Sequence, residues 1–137
     1  MSVEAEMTKA TNNVRAKFVC FMNSFTSISG GDIRFIEIFK RVKNIDKVVI
    51  TSAQGEKLCR QRSLGAIYFP TTYESFCKNV FSVYLIRILK SLFLNLKMNP
   101  KDVVYASSDC LPDVLPSFVF KLKNRSIVWV QVVHHVI

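Results

Sequence analysis

From Lys17 onward, short apolar runs alternate with polar or amphipathic stretches, and the alternation predicts a succession of strands and helices. Residues 17–23 (KFVCFMN) form an apolar run and a first strand. A Ser/Thr/Gly loop over 24–31 precedes residues 32–43, where Ile33, Ile36 and Phe39 (or Phe35, Ile38 and Val42) fall on a helical stripe. Residues 47–52 read as a second strand, 55–63 as a short polar helix or loop, and 66–69 as a third strand closed off by Pro70. A long helix is expected from about Tyr73 to Lys97, stopped at Asn99-Pro100, since the residue before proline avoids helical geometry. Residues 102–107 (DVVYAS) give a fourth strand. A helix over 111–123 accepts Pro112 in its first turn, with Pro116 expected to kink or restart it. The β-branched run 127–133 reads as a fifth strand, buried on both faces of a sheet and ending in His134 and His135.

Strands that alternate with helices connect by right-handed crossovers into a parallel sheet with helices on both faces. The predicted fold class is therefore α/β, an open five-stranded sheet ordered 3-2-1-4-5 that holds its ligands at the carboxyl edge. Residues 1–16 are polar and patternless and read as a loose tail, leaving 17–137 as one domain. There is no internal repeat.

The net charge of +9, with an isoelectric point near 9.6, favours anionic partners: nucleic acid, acidic lipid or a phosphorylated small molecule. No helix-turn-helix, RRM motif or interleaving of basic and aromatic residues is present, so nucleic acid is not expected. Cys20, Cys59, Cys77 and Cys110 are far apart and form no CxxC pair, and the start Met1-Ser2-Val3-Glu4 lacks a secretory pattern. The reading is of reduced thiols in a cytoplasmic protein without a metal site. Residues 75–97 are nearly long enough to cross a bilayer, but Lys78, Arg87 and Lys90 interrupt them, and charge at mid-bilayer costs several kcal/mol. A mostly buried amphipathic helix is preferred over one lying on a membrane surface.

Several residues carry candidate chemistry. In Ser29-Gly30-Gly31-Asp32 the glycines either let a helix N-terminus meet a phosphate or simply make a turn with Asp32 as the cap. There is no GxxxxGK[ST] and no GxGxxG, and the second strand ends in Thr51-Ser52 where a dinucleotide site carries an acid. Lys57, Arg60 and Arg62 either grip an anion at the ligand edge or form a solvated face. Asp109 serves a sugar hydroxyl or, the preferred reading, an N-cap. Adjacent strand residues face opposite sides, so only one of His134 and His135 is expected to enter a given cleft. No third ligand suggests a metal, and no GxSxG suggests an acyl enzyme.

Taken in order, four stretches resemble the N-terminal half of a GT-B glycosyltransferase of the broad family-four group of retaining sugar transferases. They are residues 29–41 from Ser29-Gly30-Gly31-Asp32, residues 49–55 with Leu58-Cys59 and Leu64-Gly65 behind them, residues 104–109, and residues 129–135. They cover most of 17–137. The resemblance implies an acceptor-side Rossmann-like domain whose Gly30-Gly31 loop faces an interdomain cleft near the donor phosphate. It implies that His134 touches the donor sugar near the reacting centre as the catalytic residue; the reading of the residues themselves adds Asp32, Arg60, Asp109 and His135 as candidate substrate contacts. It implies a nucleotide-sugar donor, a glycan or lipid-linked acceptor, no further cofactor, and peripheral contact with the inner membrane face. In that family a second Rossmann domain with a Glu–seven-residues–Glu motif holds most of the donor. At ~150 residues per domain this chain has no room for it, so the chain is expected to be incomplete on its own: a truncated product, a fragment, or one part of a split enzyme completed by a second polypeptide. The alternative reading, from a different class, is a non-catalytic α/β module that binds an anionic ligand or protein partner through its basic surface.

Overall fold

The computed structural model describes residues 15–23, 30–72 and 79–133. The tail expected before residue 15, the loop 24–29, Cys77, His134 and His135 lie outside the described residues. Five parallel strands form one sheet in the order β3-β2-β1-β4-β5, as the sequence pattern predicts: β1 Lys17–Met22, β2 Asp46–Thr51, β3 Ile67–Pro70, β4 Val103–Ala106 and β5 Val128–Gln131. Four helices join them: α1 Gly30–Arg41, α2 Ala53–Gln61, α3 Val80–Leu92 and α4 Leu111–Lys123.

The strand period of two divides β1 between two cores. Cys20 and Met22 face α1 and α2, where Phe35, Ile36, Phe39, Leu58 and Cys59 close one core. Val19 and Phe21 face the other side and join Val48, Ile50, Val104, Phe120 and Ile127. Burial also accounts for the thiols. It is the main cause that lifts Cys20 well above its usual range and Cys59 to about 12, so both are inert packing groups at neutral pH.

The stretch left open as helix or loop is the helix α2. Ser52 caps it by accepting from the Gly55 N–H at 3.1 Å, and Glu56 and Arg60 form an i,i+4 pair. Helix α2 approaches β2 so closely that a Cβ at Gly55 would stand 2.0 Å from Thr51 Oγ1.

Three expectations are corrected. Helix α3 does not run on to Lys97; it ends at Leu92, and residues 94–99 carry no helix. Leu94, Leu96 and Met98 are spaced by two, the period of extended chain, and all three pack against the core beneath α4. Pro116 does not restart α4, which is continuous through it. A proline at this position deprives the Pro112 carbonyl of its helical donor, and Asn23 Nδ2 occupies that carbonyl instead at 3.2 Å. Finally, β5 is an edge strand and is not buried on both faces. Its Trp129 side is tied to Ser117 Oγ at 3.1 Å, while Val128 and Val130 are exposed on the other side.

At the amino edge, the buried Asp102 carboxylate accepts from the main-chain N–H of Lys17 at 2.7 Å and of Asn99 at 2.6 Å. It thereby fastens the start of β1 to the segment entering β4.

Candidate functional site

In this strand order the chain turns back between β1 and β4, so their carboxyl ends form the switch point where open α/β sheets bind ligands. Asn23 follows β1 there and is fully buried. Its main-chain N–H donates to Asp113 Oδ1 and its carbonyl accepts from Arg87 Nη1 at 2.5 Å. Its Nδ2 donates to Ser91 Oγ at 2.7 Å as well as to Pro112, and its Oδ1 accepts from Thr71 Oγ1 at 2.9 Å.

The bonding continues to both sides. Arg87 Nε donates to Thr72 Oγ1 at 3.1 Å beyond β3, and Thr51 Oγ1 donates to the Met22 carbonyl at 2.9 Å. On the β4 side, Ser108 Oγ donates to Asp113 Oδ2 at 2.5 Å, and Gln131 Nε2 donates to the Ser108 carbonyl at 2.6 Å. A polar layer thus runs along the carboxyl ends of all five strands. Arg87 and Asp113, both buried, hold it by gripping the two main-chain groups of Asn23. Groups saturated in this way form a rigid floor for whatever lies above them. Gln131 Oε1 is different: among the described residues it is a buried acceptor without a hydrogen-bond partner.

The structure spreads the sequence-predicted residues unevenly about this floor. Gly30 opens α1, with Gly31 and Asp32 in the first turn. The glycines therefore belong to the helix itself, and no glycine among the described residues has a positive φ. A Cβ at Gly30 would meet nothing within 4 Å. Asp32 is a first-turn acid that complements the helix dipole. Asp109 is exposed at the end of β4's loop, and it is Cys110, without a side-chain bond, that occupies the N-cap of α4. The cap reading of Asp109 is therefore incorrect.

Arg60 lies in the last turn of α2, about 10 Å along the helix from the carboxyl edge. It bonds Glu56 Oε1 at 2.8 Å and stacks over the Tyr68 ring at 4.6 Å. It is not brought together with the glycines. Among the described residues no group of His, Cys, Asp or Glu is arranged to hold a metal.

Sequence reasoning missed Asn23, Arg87, Asp113 and Gln131. A signal existed for two of them, since Asn23 closes the apolar run of β1 and Gln131 is the one polar residue inside the apolar run 127–133. Arg87 and Asp113 lie on helices, and nothing in their local pattern announces an inward direction.

The sheet order and this edge define a Rossmann-like α/β protein. Comparison with known families, characterised proteins and solved structures yields no match to the chain.

Proposed function

We propose that this domain is the acceptor-side half of a sugar transferase, working with a second domain that holds most of a nucleotide-sugar donor. The observation that carries the reading is the composition of the switch point. The N-terminus of α1 at Gly30-Gly31, the exposed Asp109 and the Gln131 acceptor, unpaired among the described residues, belong to the carboxyl ends of β1, β4 and β5. Such a set suits a polyhydroxylated ligand: Asp32, Asp109 and Gln131 offer acceptors for hydroxyls, while helix N–H groups suit the phosphate of a donor. The resemblance supplies the rest of the reading, including His134 as the residue beside the donor sugar. The mechanism would be positioning, with electrostatic stabilisation of the leaving diphosphate.

The test is a transfer assay with UDP- and GDP-sugars. The domain alone is expected to give no turnover, and adding a donor-binding second half is expected to restore it. In the restored enzyme His134→Ala should lower kcat/KM by about 1.5–4 kcal/mol of transition-state stabilisation, with His135→Ala costing less. Robust turnover by the single domain, or indifference to His134→Ala, contradicts the reading. Ligand binding without transfer in any combination would favour the non-catalytic module.

A further inference from the structure

Helix α3 departs from an ordinary surface helix, since beside Ile88 it buries polar residues while several of its large apolar side chains face outward. Its polar residues Arg87 and Ser91 are buried against Thr72 and Asn23. Its outward residues Phe81, Leu85, Leu89 and Phe93 are 45–85% exposed. Helix α4 packs beside it and carries Leu111, Leu115, Phe118 and Leu122, all exposed. Their spacing of four, three and four residues lines one face of that helix. The outer layer on this side of the sheet is thus apolar along both helices, well beyond scattered single exposures.

The same layer is one-sided in charge. Between residues 79 and 133 the acids are Asp102, Asp109 and Asp113, and only Asp109 is exposed. Lys97, Lys101, Lys123 and Arg125 are exposed, in the segment between α3 and β4 or at the end of α4. A cleft of about 430 Å³ opens there, with Lys97, Lys123, Asn95 and Asn124 on its wall and Leu96 and Phe120 among its apolar lining.

We propose that the α3–α4 layer docks on a bilayer surface rich in anionic headgroups. The aromatic and leucine side chains enter the interfacial region, and the lysines beyond α3 and at the end of α4 meet headgroup phosphates at the cleft. Charge selects this occupant. A second copy would bring like-charged lysine clusters together, whereas an anionic membrane is complementary to both the apolar face and its rim. No described helix is long and apolar enough to cross a membrane, and the contact is with its surface.

This docking is independent of the transfer reading, because a domain can float with vesicles without supporting transfer, and the reverse. The test is flotation of the full chain with phosphatidylcholine vesicles, with and without phosphatidylglycerol, at low and high salt. Partition is expected on anionic vesicles, weakened by salt. Lys97→Gln, Lys101→Gln and Lys123→Gln together should lower it roughly a hundredfold, at about fivefold per charge. Arg41→Gln, Lys43→Gln and Lys57→Gln remove equal charge from the opposite side and should change it far less. Phe81→Ser with Phe93→Ser, both at exposed positions, should lower it more than tenfold with the unfolding midpoint retained. Equal partition to neutral vesicles, or partition that survives the serine pair, overturns the proposal. So does a lipid-free dimer that the serine pair dissolves, or retention on immobilised polyglutamate without vesicle binding.

Discussion

Asn23 engages its two main-chain groups and both side-chain ends with partners from α3, α4 and the segment after β3. Its amide is the one piece that fits both the carbonyl exposed by Pro116 and the hydroxyl of Thr71. Asn23→Ala leaves those buried groups unpaired, and an expected loss of about 2–4 kcal/mol follows, measured as a shift in the urea midpoint. A loss below about 0.5 kcal/mol would mean that water replaces the amide without cost. At this scale the sequence was least legible. A polar residue at a strand end reads as the end of the strand; its role depends on partners as many as 90 residues away, as in the Asn23–Asp113 bond.

At the scale of elements, period and punctuation located nearly everything. Each strand of the sheet was visible as an apolar run, and β1, β2 and α4 differ from expectation by at most a residue at either end. Two errors share a cause. Residues 94–98 and 127–133 were judged by their apolar content, whereas their structure follows from what covers them. Leu94, Leu96 and Met98 are covered by the core and alternate; Val128 and Val130 are on an edge and stay exposed. The outward apolar side chains of α3 are a further case, since an amphipathic stripe marks two faces of a helix without saying which of them the core lies against.

Packing of α2 on β2 gives a prediction at the same scale. Gly55→Ala drives a methyl into Thr51 Oγ1 and should cost about 1–3 kcal/mol. Combining it with Thr51→Ala removes the obstructing atoms, so the double variant should lose less than the sum of the two single variants in a denaturation cycle. Strict additivity would place α2 farther from the strand than the structure does.

For the whole molecule, the sheet order gives the account its centre. A 3-2-1-4-5 arrangement puts the crevice above β1 and β4, and the polar layer from Thr72 to Gln131 makes the edge beneath it rigid. The opposite end of the sheet holds the lysine-rich cleft, so the proposed sugar site and the headgroup cleft lie at opposite edges of one small domain. The strand order was legible because strand–helix alternation admits few topologies. The candidate site was only partly legible, because Gly30, Asp32 and Asp109 lie at the carboxyl edge by their position after strands, whereas Arg60 is carried away by the length of its helix.

The most direct measurement is a titration of the isotopically labelled chain, combined with an unlabelled donor-binding second half, with a UDP-sugar, followed by backbone and side-chain amide resonances. The account predicts saturable changes concentrated at Gly30, Gly31, Asp32, Ser107 to Cys110 and the Gln131 side chain, with Arg60 and the α3–α4 layer unaffected. Changes spread over the lysines at the amino edge, or no saturable change at all, would contradict it.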